Sequence, residues 1–227
     1  MLPWKCRDMS SDPEYHLREL AVARSSNDPR RAVPDIPQGA KRVLDIGCGA
    51  GQTLVAADLK GAKAFGIDFE HSALKLGKQI SPGFEFARAS GEALPFRAAS
   101  FDFVFSRVAL PYMKIAYAAT EMERVLRPGG EIWITLHPLS MLSWRNAFSH
   151  PKRLLFEVYR LVNTALLHFT GKQFRYPLRR NRTESYQTSQ GIRRVLKRAG
   201  FQNIQVIRQH HFLVTAQKSK AKAKAQA

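Results

Sequence analysis

The chain has 227 residues and a formal net charge of +18, from 36 Lys and Arg against 18 Asp and Glu. This length suffices for one domain with a full core, and an apolar content of 44% is usual for a soluble globular protein. The start has no apolar run of signal-peptide type, and no stretch of about 18 uncharged apolar residues predicts a transmembrane helix. The two cysteines, Cys6 and Cys48, are too few for a disulfide framework and have no partners at zinc-ligand spacing. The composition therefore predicts a cytoplasmic protein without a metal site.

The positive charge is concentrated in the second half of the chain. Beyond Glu131 the only acids are Glu157 and Glu184, while clusters of Lys and Arg fill residues 152–198. Such asymmetry favours an anionic partner, whether nucleic acid, acidic lipid or a charged small molecule. A solvated basic face that aids solubility explains it equally well.

Residues 1–38 are predicted to form a leader with one helix. Asp12 is a suitable N-cap, and Pro13 is a favourable first helical residue. Three prolines after the helix keep the chain irregular up to the first strand. The apolar stripe of the helix consists of Leu17, Leu20 and Val22.

The densest signal is the stretch 42–53, R-V-L-D-I-G-C-G-A-G-Q-T. Its apolar residues predict a strand buried on both faces, and three alternate glycines then lead into a helix-compatible segment, residues 54–59. Such a turn brings backbone N–H groups close to a ligand, because a Cβ there would hold the ligand away. Gln52 stands where the dinucleotide pattern G-x-G-x-x-G has its third glycine. Asp45 at the strand end would repel a pyrophosphate but suits a cationic amino group.

This stretch resembles motif I of the class I S-adenosylmethionine (SAM)-dependent methyltransferases, acidic-x-G-x-G-x-G. The resemblance implies SAM as the cofactor. The residues that it places around SAM are Asp45, Gly47, Cys48, Gly49 and Gly51. The alternative is an ordinary strand–helix turn whose glycines serve packing alone.

Residues 63–68 predict a second short strand that ends in Asp68. A second parallel strand would place this carboxylate beside the ribose, where it can accept hydrogen bonds from both hydroxyls. Phe69, the next residue, is placed to pack on the adenine face. The alternative for Asp68 is an N-cap of the helix predicted over residues 72–80.

Residues 84–89 alternate like a third strand, and S-G-E-A-L-P-F follows at residues 90–96. This loop is similar to the family pattern G-D-A-E-x-L-P-F, in which the Asp accepts from the adenine amino group. The resemblance assigns Ser90, Gly91 and Glu92 to the cofactor site. Ser90 departs from the Asp of the pattern, and its uncharged hydroxyl is a weaker acceptor.

A fourth strand is predicted over residues 101–106, a helix over 114–126 with a glycine C-cap, and a fifth strand over 131–136. Residues 123–130, E-R-V-L-R-P-G-G, resemble a signature of the ubiquinone and menaquinone C-methyltransferases. Together the family matches cover about residues 42–137, in order and correctly spaced.

Active groups in such sheets collect at the carboxyl ends of the strands. This location selects Ser106 for the cofactor site, and Arg107, Tyr112 and His137 as candidate catalytic residues. His137 is the best candidate base, because its unperturbed pKa is near neutrality. A structural histidine before Pro138 is an equal alternative.

Residues 138–187 match no family pattern and are predicted to form a helical insert or cap. The helix predicted over residues 151–169 has a wide apolar arc, which includes Val162, opposite a narrow polar arc, which includes Glu157 and Arg160. A helix this apolar is expected to be covered. It would roof the substrate pocket, form a homodimer seam, or lie on a membrane surface.

A helix over residues 189–199 and a hairpin of strands over 203–208 and 211–216 complete the domain, which is predicted to span residues 39–217. Residues 218–227 are predicted to be a basic disordered tail. The fold class is α/β. The resemblance implies a Rossmann-like, doubly wound, seven-stranded sheet with an antiparallel last strand and a helical insert between the fifth and sixth strands.

The function implied by the resemblance is methyl transfer from SAM to a small-molecule acceptor, by in-line displacement in a cleft roofed by the insert. We expect the acceptor to be partly hydrophobic or anionic. Two alternatives stay open: a methyltransferase of RNA or another nucleic acid, favoured by the charge, and a SAM-binding protein without catalysis, suggested by Ser90. Peripheral membrane contact and a homodimer also stay open.

Overall fold

The computed structural model describes residues 12–178 and 183–220, so residues 1–11 of the predicted leader and 221–227 of the predicted tail lie outside the described residues. The helices are α1 (Pro13–Arg24), α2 (Gln52–Ala56), α3 (His71–Ile80), α4 (Ile115–Val125), α5 (Trp144–Ala147), α6 (Pro151–Thr170) and α7 (Ser189–Ala199). The strands are β1 (Arg42–Ile46), β2 (Lys63–Asp68), β3 (Glu85–Arg88), β4 (Phe101–Arg107), β5 (Leu126–Leu136), β6 (Phe201–Arg208) and β7 (Phe212–Lys218). Short 3₁₀ helices, Leu110–Tyr112 and Leu139–Met141, follow β4 and β5.

The described strands form a seven-stranded sheet in the order β3-β2-β1-β4-β5-β7-β6. Strands β1 to β5 pair in parallel, and β7 is antiparallel to both β5 and β6. The predicted Rossmann-like sheet with an antiparallel last strand, and with helices between β5 and β6, is therefore confirmed. The strand order reverses between β1 and β4, and ligands of such sheets bind beyond the carboxyl ends of the strands at that point.

Helices cover both faces of the sheet, because the central strands are apolar on both sides. On β1, Leu44 belongs to a core cluster with Met122 of α4, whereas Val43 points to the other face and packs in a cluster with Phe105. All four side chains are fully buried. The prediction that β1 is buried on both faces is confirmed, and this rigid strand fixes the position of the glycine turn that follows it.

The leader helix α1 begins where the sequence predicts. Asp12 caps it by accepting a hydrogen bond from the Glu14 N–H at 3.0 Å. Leu20 is buried, but Leu17 is half exposed, so the apolar stripe is narrower than predicted. His16 is also buried and faces the glycine turn, which places the leader against the carboxyl edge of the sheet.

The bounds of α2 and the C-cap of α4 differ from the prediction. Helix α2 spans Gln52–Ala56 instead of residues 54–59, so it has only five residues. Helix α4 ends at Val125, with Leu126 in extended conformation as its C-cap. The predicted glycine C-cap is therefore wrong, and Gly129, with φ of +81°, instead turns the irregular first part of β5.

The signature at residues 123–130 joins α4 to the amino edge of the parallel strands. Lys218, which the sequence assigns to the disordered tail, instead ends β7 and donates to the Glu123 backbone oxygen at 2.7 Å. Arg127 pairs with Asp102 at 2.8 Å, at the start of β4. Both contacts lie at the edge opposite the one where ligands bind. The signature therefore stabilises the fold and gives no information about the methyl acceptor.

Helix α6 packs with its polar arc toward the protein and its apolar arc outward. Asn163 donates to the Glu184 backbone oxygen at 3.1 Å, and Thr164 accepts from the Tyr186 N–H at 3.0 Å. Residues 183–187 are irregular and buried, so their backbone groups need partners, and the polar arc of α6 supplies them. This need explains why the polar side of the helix is the inner one.

The apolar arc of α6 is consequently exposed. Val158 and Val162 are both about half exposed. The expectation that this arc roofs a pocket within the chain is therefore wrong. Within the described ranges, no helix combines the length and hydropathy needed to cross a bilayer.

Candidate active site

The glycine turn between β1 and α2 is held by β2 and fits closely against its neighbours. The Gly47 N–H donates to the Ile67 oxygen at 2.8 Å. Gly47 has φ of +73°, and a Cβ on it would lie 2.2 Å from the Cβ of Ala109. Gly49 has φ of +56°, and its Cβ would lie 3.1 Å from the His16 ring. The sequence predicts that these glycines allow a ligand to approach closely. The structure shows that the packing of the protein itself also requires them.

Asp45 is a buried carboxyl beside this turn. It is 1% exposed, and its Oδ1 has no hydrogen-bond partner among the described residues. Burial and repulsion from Asp68 raise the pKa of this carboxyl well above its usual range, although Arg107 opposes the shift. A positive charge nearby would stabilise the ionised form. The predicted contact with a cationic group stays a prediction, and the unpartnered oxygen gives it a physical basis.

Asp68, at the end of β2, connects the glycine turn to α3. Its Oδ2 accepts from the Gly49 N–H at 2.8 Å, and its Oδ1 accepts from the Glu70 N–H at 2.9 Å. Glu70 is the N-cap residue of α3 but makes no side-chain capping bond. Asp68 therefore orders the turn before the helix, but the alternative that it is the N-cap is wrong, because Glu70 holds that position. Each of its oxygens has a further lone pair, so the carboxylate can still accept from ribose hydroxyls.

The leader contacts the site through residues that the sequence analysis does not single out. His16 Nδ1 and Gln52 Nε2 are 2.8 Å apart in a buried contact. Glu19 pairs with Arg107 at 2.8 Å, with both side chains less than a quarter exposed. Arg107, a predicted catalytic residue, thus anchors the leader, and its catalytic role stays a prediction. One signal was available: His16 and Glu19 lie three residues apart, next to the buried Leu20 on α1.

The loop after β3 is ordered by its own polar groups. The Ser90 hydroxyl accepts from the Glu92 N–H at 3.1 Å, and Glu92 accepts from the Lys114 N–H at 3.1 Å. Gly91 is buried, and a Cβ on it would lie 2.7 Å from Ile46 at the end of β1. The loop is therefore beside the glycine turn. The described contacts of Glu92 order the loop and the start of α4.

Three other predicted cofactor residues differ in exposure. Phe69 is 60% exposed, with the Arg88 guanidinium 5.3 Å from its ring centroid, so its ring can contact a ligand. Ser106 is fully buried and donates to the Ile46 oxygen at 2.8 Å. Cys48 is also buried, and burial raises the pKa of its thiol. The side chains of Ser106 and Cys48 therefore serve the packing of the turn.

The structure brings two of the three predicted catalytic residues together. The rings of Tyr112 and His137 meet edge to face, with centroids 5.5 Å apart. The backbone N–H of His137 donates to Gln187 Oε1 at 2.9 Å. Burial, with repulsion from Arg160, lowers the pKa of His137 to about 4. The near-neutral pKa on which the predicted base depends is therefore absent, and the neutral imidazole is a weak base.

Arg160 of α6 is the centre of a buried charged cluster. Its guanidinium lies 2.9 Å from the Glu157 carboxylate and 4.0 Å from the Tyr186 ring centroid. Arg160 Nε is also 3.2 Å from Glu184, but the geometry is that of an ion pair, because Nε has no hydrogen-bond partner in the described chain. The Tyr186 hydroxyl donates to Glu157 at 2.9 Å. The cluster thus contains both acids that follow Glu131. Their isolation in a basic segment is the sequence signal that could have predicted this cluster.

Acid should destabilise the protein through His137. Its folded pKa of about 4 lies below the ordinary 6.5, so the neutral ring favours the folded state above about pH 6.5. This stability, on the order of 3 kcal/mol, is lost as the pH falls from 6.5 through 4. We expect His137→Gln to flatten the pH dependence of the unfolding free energy over that range, as measured by urea unfolding. His71→Gln, at an exposed position on α3, is the control, and identical slopes in both variants would contradict the assignment.

A cavity of about 350 Å³ opens at the same edge of the sheet, beyond the ends of β5 and β6. It lies between residues 138–140, which directly follow His137, and residues 208–212. Arg208 and His210 are in its lining, which includes no acid. The glycine turn is not part of the lining. Within the described part of the chain, no group of three His, Cys, Asp or Glu is placed to hold a metal ion.

Residues 44–134 match the family model described as a methyltransferase domain. The match runs from β1 to β5, so it includes the glycine turn, Asp68 and the loop after β3. This segment is a class I SAM-dependent methyltransferase domain. The resemblance is confirmed at this level, and SAM is the cofactor of such a domain.

Curated relatives share part of the chain. A phthiotriol/phenolphthiotriol dimycocerosates methyltransferase of Mycobacterium tuberculosis is 35% identical over 105 residues, which cover 44% of this chain and 39% of the relative. An uncharacterized methyltransferase of Synechocystis is 35% identical over 109 residues, which cover 46% of this chain and 51% of the relative. The chain thus spans about half or less of the length of these curated relatives.

Solved structures share the fold over nearly the whole chain. A SAM-dependent methyltransferase of Thermotoga maritima, described as a possible histamine N-methyltransferase, superposes with a TM-score of 0.61 at 16% identity. The superposition covers 94% of this chain and 98% of that one. At this identity the likeness shows the fold alone, and its extent places most elements after β5 within the shared fold.

Proposed function

We propose that the protein transfers the methyl group of SAM to a small-molecule acceptor. The observation that carries this proposal is the buried Asp45 carboxyl beside the glycine turn, with an Oδ1 that has no partner in the described chain. SAM carries an ammonium and a sulfonium, and either charge would stabilise ionised Asp45. A dinucleotide, with its anionic pyrophosphate, would destabilise it.

The residues at the carboxyl edge of the sheet fit SAM. Asp45 would hold a cationic group, and Asp68 would accept from the ribose hydroxyls. Phe69 and the loop at residues 90–92 would enclose the adenine. When bound, SAM supplies an electrophilic methyl carbon on sulfur. The chain therefore contributes binding and orientation rather than covalent chemistry.

In this proposal, His137 and Tyr112 orient the acceptor. Methyl transfer needs the nucleophilic atom in line behind the methyl carbon, and the bond to sulfur breaks as the new bond forms. His137 is neutral, so a ring nitrogen can accept a hydrogen bond from the acceptor. With a pKa of about 4 it holds a proton poorly, so we propose that it orients the acceptor, and that the acceptor proton passes to water.

A small and partly anionic acceptor agrees with the cavity beyond β5 and β6. Arg208 and His210 line it, and its first wall, residues 138–140, directly follows His137. The relative from Mycobacterium tuberculosis is named as a methyltransferase of phthiotriol and phenolphthiotriol dimycocerosates.

A nucleic-acid methyltransferase is the second candidate, favoured by the formal charge of +18. It predicts RNA binding that weakens steeply with salt, and transfer of labelled methyl groups from SAM to an RNA pool. The proposed function instead predicts transfer to a small-molecule extract. Binding of SAM without transfer to either pool would support the third alternative, a SAM-binding protein without catalysis.

The Asp45→Asn variant should bind S-adenosylhomocysteine about tenfold more weakly than the wild type, or worse, and yet be more stable without ligand. Loss of a contact to a charged group weakens binding by about 1–3 kcal/mol. The folded pKa of Asp45 is raised, so the stability contributed by its protonated form is lost as pH rises through that pKa. At neutral pH the uncharged Asn avoids the free-energy cost of burying an ionised carboxylate. Calorimetry measures the affinity, and thermal unfolding with and without ligand measures the stability.

Asp58→Asn, which removes an exposed carboxylate after α2, is the matched control and should change neither property. Unchanged affinity in Asp45→Asn would remove Asp45 from the site. Tight binding of NADH by the wild type would overturn the assignment to methyl transfer.

A further inference from the structure

The outer face of α6 is a continuous apolar surface. The large apolar side chains on this outer face are between 36% and 71% exposed. The members of this outer face are Leu155, Val158, Val162, Leu166 and Phe169. They recur every three or four residues and so share one side of the helix, opposite the arc that holds Arg160. An exposed apolar surface of this kind marks an interaction site.

The charges around this face are positive. The described residues 138–178 and 183–187 contain six Lys and Arg but two acids, Glu157 and Glu184, a net charge of +4. Both acids contact Arg160 on the inner side, where their side chains are 17% and 6% exposed. Lys152 lies in the first turn of α6 and Lys172 follows its last turn, and both are exposed. The apolar face is therefore flanked by basic residues at both ends.

These charges decide between the candidate occupants. A second copy of the chain would bring two surfaces of the same positive sign together, with their acids already paired inside. A nucleic acid would match the charge but not an aliphatic stripe. An anionic lipid surface matches both features, because apolar side chains enter the acyl boundary while Lys and Arg meet the headgroups.

We propose that the outer face of α6 docks in the plane of an anionic bilayer surface. The inner arc of the same helix holds Arg160, whose charge acts on His137. A helix with its side chains is about 10–12 Å across. Docking would therefore hold Arg160 about one helix diameter from the lipid headgroups. The docking itself does not depend on methyl transfer, so its test can fail or succeed independently of the proposed function.

The test is sedimentation of the full chain with vesicles of phosphatidylcholine, alone or mixed with phosphatidylglycerol. The wild type should sediment with the mixed vesicles and not with the neutral ones. Leu155→Gln combined with Phe169→Gln should weaken this binding about tenfold or more, because two apolar side chains no longer enter the bilayer. Leu17→Gln is the matched control, since Leu17 on α1 is 50% exposed and Leu155 is 51% exposed. This control should bind like the wild type.

The charge is tested by Lys152→Glu combined with Lys172→Glu. Each Lys near an anionic surface strengthens binding about fivefold, so the loss of both should weaken it about twentyfold or more. Lys63→Glu combined with Lys75→Glu, on exposed positions of β2 and α3, is the matched control and should have a smaller effect. Thermal unfolding confirms that these surface variants are folded.

Three results would overturn the proposal. The first is the absence of the wild type from pellets of the mixed vesicles. The second is equal binding to neutral and anionic vesicles. The third is a wild-type dimer in analytical ultracentrifugation that the Leu155→Gln and Phe169→Gln changes dissociate, because a second copy would then be the occupant of the face.

Discussion

Arg160→Leu is expected to lower the free energy of unfolding by about 3–5 kcal/mol. The change leaves Glu157 and Glu184 without their shared cation, while their side chains stay 17% and 6% exposed. Removing one partner of a buried ion pair costs far more than the pair contributes, because a charge that stays buried loses a compensating partner. The Tyr186 ring also loses the guanidinium that lies 4.0 Å from its centroid. Urea unfolding at neutral pH measures the loss.

Adding Glu157→Gln and Glu184→Gln to the variant should restore most of the stability at neutral pH. Arg30→Leu is the matched control, since Arg30 pairs with Asp28 at 2.8 Å on the surface, and this variant should lose little. Equal losses in the two arginine variants would contradict a buried charge cluster.

The first half of the domain is predictable because its strands are apolar runs bounded by glycine and acidic residues. The predicted bounds of β2 agree with the structure, which places Asp68 at its carboxyl end. In the second half, the predicted bounds of α7 at residues 189–199 also agree with the structure. In these segments, burial of each residue is decided by local alternation, which the sequence contains. The turn and the acids at the carboxyl edge follow from that alternation.

The packing of α6 could not be predicted from its own pattern. Periodicity predicts an apolar and a polar face, but it does not say which face is buried when either can pack against the rest of the protein. The inner face is decided by residues 183–187, whose buried backbone needs hydrogen bonds from Asn163 and Thr164. This need depends on a contact across about twenty residues, so it is invisible in a window of helical length.

The electrostatics of the site could not be predicted from the sequence either. The usual pKa of histidine suggests a base at position 137, but burial and Arg160 lower the pKa of His137 to about 4. Likewise, the contacts of His16 with Gln52 and of Glu19 with Arg107 join the leader to the domain over long sequence separations. A residue type gives a reference pKa and a bonding capacity, and only the fold decides how each is changed.

Gly47→Ala is expected to lower the free energy of unfolding by about 2–5 kcal/mol and to abolish binding of S-adenosylhomocysteine. Two effects add. An L-residue at φ of +73° is strained by about 1–2 kcal/mol. The new Cβ would also lie 2.2 Å from the Cβ of Ala109, so β1 and the segment after β4 must move apart, at about 1–3 kcal/mol. Because that movement opens the turn beside Asp45, binding should be lost even where the variant is folded, as calorimetry can show.

Two further variants separate the strain from the clash. Gly61 has φ of +82°, and a Cβ on it would have no atom within 4 Å, so Gly61→Ala carries the backbone strain alone and should bind the ligand normally. Ala109→Gly added to Gly47→Ala removes the clash and leaves the strain. This pair should therefore be more stable than the sum of the two single changes predicts, because the two positions are in contact. If Gly47→Ala were no less stable than Gly61→Ala and still bound the ligand, close packing of the turn against Ala109 would not be what makes glycine necessary there.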